Sequence, residues 1–193
     1  SSPYTGTIFS NNPLFIDLEQ LTKKQWGNIL SETTYQKVCN ENPNKATNKT
    51  AYSYIYKAQE EALSEAYFNF IQLNDKKLNK EFEKFKLENE FWLSKDALYE
   101  ALSVENNNDY WPLWDNKIDR VLFNPKTEDE KKAAFLREKE LRLKYADKIN
   151  FYSFCQFVIA KQNEETKKYA KKQGLKMIAD RQVAFSDRDS WAY

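Results

Sequence analysis

The stretch from Ile149 to Asp180 constrains this chain more than any other. Apolar residues recur at Phe151, Phe154, Cys155, Val158 and Ile159, and the same face continues through Thr166, Tyr169 and Ala170, a spacing that predicts an α-helix. Ile149, Tyr152, Phe157 and Ala160 make its first half apolar almost all round, and a helix without a polar face must be covered on several sides. Lys171 and Lys172 stand in the last turn, where cations complement the helix dipole, and Gly174 follows where a left-handed residue ends many helices. Leu175 to Ala179 then carries four apolar residues in five, which predicts a buried strand ending at Asp180. Helix, glycine, strand and acid make half of a βαβ repeat.

A lone buried strand cannot satisfy its own amides. It must pair either with the extended stretch near Leu14 to Leu18 or with strands of a larger α/β protein. Because the chain opens in the turn chemistry of Ser2-Pro3-Tyr4-Thr5-Gly6 and stops at Trp191-Ala192-Tyr193, the larger protein is the favoured expectation. The remaining pattern is helical. A short helix is expected near Leu18 to Gln25, then an exposed connection from Asn40 to Lys49 around Pro43. A long helix capped by Thr50 carries Ile55, Ala58, Ala62, Leu63, Ala66, Tyr67, Phe70 and Ile71. Beyond Asn74-Asp75 another helix carries Phe82, Phe85, Trp92, Tyr99 and Leu102 to about Val104, where Asn106-Asn107-Asn108 breaks it. Trp111-Pro112 opens a further short helix that Asn124-Pro125 ends. Thr127 followed by Glu128, Asp129 and Glu130 starts one that runs through Phe135, Leu136 and Leu143 toward Ile149. No internal repeat and no domain linker stands out.

Composition excludes much of the usual chemistry. Histidine is absent from all 193 residues, which removes histidine-based nucleophilic catalysis, HExxH zinc sites and histidine pH switches. With 3 glycines, no phosphate-cradling loop can be built, and the scarcity suits a mostly helical chain. Lys and Arg number 30 against 29 Asp and Glu, so no electrostatic footprint for nucleic acid or an anionic membrane is expected. No run of about 20 apolar residues and no charged-then-apolar leader is present, and Cys39 and Cys155 fit no metal or CxxC spacing. A soluble, unexported, cytoplasmic protein with reduced thiols is the expectation. Asp187-Arg188-Asp189 is an acid-rich stretch that reads as a solvated loop rather than a metal site.

Several blocks of residues together resemble one family. Ser2-Pro3-Tyr4, with Phe9-Ser10-Asn11-Asn12-Pro13-Leu14-Phe15-Ile16-Asp17-Leu18, resembles the SPY…FAGNPLLIDL segment of the 4-alpha-glucanotransferases, also called amylomaltases or disproportionating enzymes, of glycoside hydrolase family 77. Phe85, Asn89, Trp92-Leu93, Asp96-Ala97-Leu98 and the Trp111/Trp114 pair resemble its F…N..WL..YAL…W..W block. Ile149, Phe151, Phe154, Gln156-Phe157, Gln162, Lys168-Tyr169-Ala170 and Gly174 to Asp180 resemble its I.F..F.QF….Q….YA…GI.I.GD block. The three blocks follow the family's order and span nearly the whole chain.

The resemblance implies a mainly α chain that is a fragment of a TIM (β/α)8 barrel, comprising a helical insertion plus one barrel strand. Residues 1–193 would be a partial catalytic domain. Within it, 1–17 would be the active-site loop after the first barrel strand, 18–125 the helical insertion, and 126–193 a helix, the second barrel strand and the following loop. The implied activity is transfer of an α-1,4-glucan segment to the 4-hydroxyl of an acceptor glucan or glucose by retaining chemistry. The family's catalytic carboxylates lie on later strands, so no catalytic residue is expected in this chain. Ser2, Tyr4 and Asp180 match substrate-contacting positions, with the Tyr4 ring suited to the apolar face of glucose and Asp180 to its hydroxyls. Read without the resemblance, the same residues are a turn serine, a packing tyrosine and a helix-capping acid. Where the family commonly has GDLPI, this chain has Ala179-Asp180-Arg181-Gln182. Malto-oligosaccharides and α-1,4-glucans are the implied partners, with no metal or organic cofactor, no nucleic acid and no membrane. The alternative is a non-catalytic helical module that binds glucan or a protein through its aromatic residues.

Overall fold

The computed structural model describes residues 5–178 and 184–193. In chain order its elements are strand β1 (Thr5–Gly6) and helices α1 (Leu18–Leu21), α2 (Glu32–Asn40), α3 (Tyr52–Leu73), α4 (Lys76–Glu88), α5 (Glu90–Glu105), α6 (Lys117–Val121), α7 (Glu128–Lys144) and α8 (Ala146–Lys172). Strand β2 (Ala184–Phe185) follows, and 3-10 turns occur at Pro13–Phe15, Lys24–Trp26 and Trp111–Leu113. The described chain is mainly helical, as its periodicity predicts.

Local chemistry sets several boundaries. The Thr127 hydroxyl accepts the Glu130 N–H at 3.1 Å while the Glu130 carboxylate accepts the Thr127 N–H at 3.1 Å, a reciprocal cap that starts α7. At the end of α8, Gly174 adopts φ +73°, and the N–H groups of Gly174 and Leu175 donate back to the carbonyls of Lys171 and Ala170 at 3.1 and 3.0 Å. Asp75 starts α4 by accepting the N–H groups of Lys77 and Leu78 at 2.9 and 2.8 Å.

Two compact units are present, and α8 contributes to both. The first draws its described residues from Ser1–Ser10, Asn89–Ser153 and Lys176–Tyr193. Its core joins Leu98, Tyr99, Ala101 and Leu102 of α5 to Trp114, Leu122, Ala134 and Leu141. The Tyr193 ring packs on Tyr99, Trp111, Trp114 and Phe123, and its hydroxyl donates to the Asp119 carbonyl and accepts the Leu122 N–H. Beneath it, Arg137 grips fully buried Asp119 with two nitrogens, Nε to Oδ1 at 2.8 Å and Nη2 to Oδ2 at 3.0 Å.

The second unit comprises Asn11–Glu88 and Phe154–Leu175. Phe154, Phe157, Val158 and Ile159 of α8 are buried there, with the Phe154 and Phe70 ring centroids 5.1 Å apart and Phe157 5.4 Å from Phe82. Trp26 meets Phe157 edge-on at 6.0 Å. The apolar half of α8 is thus covered, as a helix lacking a polar face requires.

Some sequence expectations are corrected. No strand forms over Leu175 to Ile178, whose Leu175, Met177 and Ile178 are 65%, 60% and 96% exposed. No strand lies beside this run among the described residues, so its backbone has nothing to ladder with; Ala179 lies outside them. The short sheet instead pairs β1 with β2 in parallel, Thr5 opposite Ala184 and Gly6 opposite Phe185, and the stretch near Leu14 takes no part, being a 3-10 turn. Thr50 does not cap α3, whose N-cap Ala51 has no side-chain cap. The helix expected from Asp75 to Val104 is two, parted at Asn89 with φ −114° and ψ 10°. Likewise Tyr145 separates α7 from α8.

Candidate functional site

Ser2, Tyr4 and Asp180 lie outside the described residues, so the structure does not test their assignment to substrate. In sequence, β1 begins one residue after Tyr4 and β2 four residues after Asp180. The described residues that follow each strand belong to the first unit, and they build a polar and aromatic cluster there.

After β1, the Phe9 ring lies 5.1 Å from Phe91, 6.1 Å from Trp92 and 5.2 Å from Trp191, the last coming from the segment after β2. The Lys95 ammonium stands 5.8 Å from the Trp191 ring and 6.0 Å from that of Phe123. Asp189 is buried, not solvated as its acid-rich surroundings suggest. Its Oδ1 accepts the Trp191 N–H at 2.9 Å, and it also takes a backbone hydrogen bond from Ile8. Burial raises its pKa and those two donors oppose the rise.

Asp96 of α5, also buried, accepts the Ser190 hydroxyl. Desolvation pushes its pKa up to about 6, the Ser190 bond works against that, and the charges of Asp189 and Glu100 add to it. Tyr152 of α8 is raised well above the usual tyrosine value, first by burial and next by the charge of Asp96, against a side-chain hydrogen bond with Ser10. The cluster therefore holds a carboxyl raised to about 6 beside the partly exposed rings of Phe9 and Trp191. Asp187 and Arg188 face outward by comparison. The Asp187 carbonyl accepts from Trp111 Nε1 at 3.1 Å, and Arg188 pairs with Asp109 at 2.7 Å.

The second unit carries its own concavity, about 550 Å³. It is lined by Asn11, Phe15 and Asp17 on one side and by Gln162, Asn163 and Tyr169 of α8 on the other. Three glutamines shape its wall by binding backbone. Gln156 bonds both main-chain groups of Asn11, each at 2.9 Å. Gln162 accepts the Asp17 N–H at 2.9 Å and donates to its carbonyl at 3.0 Å, and Gln59 Nε2 donates to the carbonyls of Pro13 and Ile16 at 3.2 and 3.0 Å. These amides stand in for the neighbouring strand that the Asn11 to Asp17 segment lacks.

Sequence reasoning missed Asp96 and Asp189 as buried carboxylates. Asp96 carried a signal, because it shares a helix face with Trp92 and Tyr99. Asp189 carried none, since its burial comes from residues distant in the chain. Among the described residues no group of three or more His, Cys, Asp or Glu side chains is arranged to hold a metal, and no helix is long and apolar enough to cross a membrane. Neither Cys39 nor Cys155 forms a disulfide.

Comparison with known proteins decides the family. The sequence model of the 4-alpha-glucanotransferases, glycoside hydrolase family 77, matches residues 1–193. The chain belongs to this family. It is 30% identical over 200 residues to the 4-alpha-glucanotransferase of Clostridium butyricum, an alignment covering 99% of this chain and 35% of that protein. With the enzyme of Aquifex aeolicus the identity is 26% over 198 residues, covering 99% of this chain and 34% of the relative. An amylomaltase from Streptococcus agalactiae, solved in complex with acarbose, superposes with a TM-score of 0.76 at 21% identity, over 98% of this chain and 34% of that one. The fold described above is therefore shared with an amylomaltase. The chain spans about a third of the length of the glucanotransferases it matches.

Proposed function

We propose that the chain works as one part of a cytoplasmic 4-alpha-glucanotransferase that moves an α-1,4-glucan segment onto the 4-hydroxyl of another glucan or of glucose. The observation that carries this reading is the family match over residues 1–193 by a chain only about a third as long as its relatives. In this reading residues 1–17 are the active-site loop after the first strand of a (β/α)8 barrel, 18–125 the helical insertion, and 126–193 a helix, the second barrel strand and its loop. The exposed apolar side chains of Leu175, Met177 and Ile178 support a barrel strand there, because they are what a strand buried among neighbours would carry.

Retaining transfer needs two carboxyl groups about 5 to 5.5 Å apart, one attacking the anomeric carbon and the other protonating the leaving oxygen. The first then departs as the acceptor's 4-hydroxyl, deprotonated by the second, closes the new glycosidic bond. Both groups lie outside these residues in this reading. Ser2, Tyr4 and Asp180 contribute glucan contacts, a ring against the sugar face and polar groups against its hydroxyls. No metal or organic cofactor takes part. The acarbose held by the Streptococcus agalactiae amylomaltase supports malto-oligosaccharides as the ligand class.

The test is acceptor labelling. The full-length protein, given maltotriose and isotopically labelled glucose, should place the label at the reducing end of longer α-1,4 oligosaccharides. Label found only in free glucose, with maltotriose hydrolysed or untouched, would contradict transfer.

A further inference from the structure

The segments that follow β1 and β2 meet at one carboxylate. Asp189 accepts the N–H of Trp191, two residues on in its own segment, and takes a backbone hydrogen bond from Ile8 in the other. Around it the two segments are fastened to the same supports. Phe9 and Trp191 share a ring contact at 5.2 Å, Ser190 donates to Asp96 of α5, and Ser10 bonds Tyr152 of α8. The Asp189 carbonyl further accepts the N–H groups of Ala192 and Tyr193 at 3.0 and 3.2 Å, so the same residue also holds the turn that follows. Its side chain is 6% exposed by residue and makes no ion pair among the described residues, so main-chain amides are what satisfy it.

We propose that Asp189 is a positioning residue for glucan transfer: by accepting amides from both segments it fixes the relative register of residues 7–10 and 186–193. Its consequence for activity rests on the glucanotransferase reading. Asp189 touches no reacting atom in this account and acts through Ile8 and Trp191. A carboxylate suits the task because its two oxygens can each accept an N–H, whereas a hydroxyl or a water offers less fixed geometry. Asparagine keeps one accepting oxygen of the same reach. Alanine keeps none.

Asp189→Ala, Asp189→Asn and, as a folding control, Leu141→Ala from the core of the same unit are made in the full-length protein and assayed well below their unfolding transitions. Asp189→Ala should raise KM for maltotriose by about tenfold or more with a smaller change in kcat, and Asp189→Asn, which keeps one acceptor and turns an NH2 toward the other amide, should fall between wild type and Asp189→Ala. Amide hydrogen exchange on the same proteins should show residues 7–10 and 186–193 exchanging faster together in Asp189→Ala, with residues 7–10 much less affected in Leu141→Ala, whose core adjoins only Tyr193 of these segments. A KM change in Asp189→Ala no larger than in Leu141→Ala, or faster exchange confined to one segment, would overturn the proposal. Wild-type protein that fails to disproportionate maltotriose would instead overturn the glucanotransferase reading, while exchange still reports on the coupling.

Discussion

Gln156 accepts the backbone N–H of Asn11 at 2.9 Å and donates to its carbonyl at 2.9 Å, so one side chain completes both main-chain hydrogen bonds of a residue 145 positions earlier. Gln156 is 1% exposed. Gln156→Leu would keep the volume and strand both Asn11 groups. Because Asn11 is exposed and water can reach its released groups in part, a loss of about 0.5 to 1.5 kcal/mol is expected, the net worth of an ordinary hydrogen bond. Urea unfolding measures it, and a change below about 0.5 kcal/mol would mean that water replaces the amide without loss.

Asp119 depends on Arg137 in a stricter way. The carboxylate is fully buried and receives both Arg137 nitrogens and the Asn106 amide, at 3.1 Å. Arg137→Ala should destabilise the first unit by about 3 to 5 kcal/mol, because it leaves a buried charge unpaired. Adding Asp119→Asn should recover part of that loss in a double-mutant cycle, which additive losses would contradict.

Asp96 and Glu105 should give stability opposite dependences on pH. Asp96 is raised to about 6 by burial, so the folded state holds its proton more tightly than the unfolded chain does. Its ionisation therefore costs stability as pH rises from about 4 to 6. Glu105 is lowered to about 2 by hydrogen bonds from Lys144 first and Tyr145 next, so its contribution is present above about pH 4.5 and lost as pH falls toward 2. Stability differences between wild type and Asp96→Asn, and between wild type and Glu105→Gln, measured from pH 3 to 8, should slope in opposite senses. Parallel slopes would refute the assignment.

Much of the fold was legible where a local rule decides it. Gly174 ends α8 because its left-handed backbone lets two amides turn back on the helix, and Thr127 starts α7 through a cap four residues wide, both readable as short motifs. α2 buries none of its side chains, and its apolar stripe is only Tyr35, Val38 and Cys39, too short a signal to read as a helix although Ser31 caps it. The break at Asn89 was hidden because the apolar period passes through it from Phe85 to Trp92. Leu175 to Ile178 forms no strand here because an apolar run signals burial, whereas a strand exists only where a second backbone lies beside it, and no strand lies beside this run among the described residues. The assignment of Ser2, Tyr4 and Asp180 came from resemblance and lies outside the described residues, while the burial of Asp96 was signalled only by its helix face and that of Asp189 by no local pattern, the Asp96 contact with Ser190 spanning 94 residues.

If Asp180 orders the transferase site, its charge should matter more than the Tyr4 hydroxyl. In the full-length protein Asp180→Asn should lower kcat/KM by about tenfold or more, since a lost charged hydrogen bond costs about 1.5 to 3 kcal/mol, while Tyr4→Phe keeps the ring and should cost less. Steady-state kinetics with maltotriose decide between them. An unchanged rate in Asp180→Asn would return that residue to a purely structural role.

In the proposed reading this chain is part of a glucanotransferase whose reacting carboxyl groups lie outside residues 1–193. Disproportionation of maltotriose, followed as glucose and maltopentaose formed over time, tests it directly when the full-length protein and purified residues 1–193 are assayed side by side. The full-length protein should form both products at a rate proportional to its concentration, and residues 1–193 should form neither. Transfer by residues 1–193 alone, scaling with their concentration, would contradict the account, as would its absence from the full-length protein.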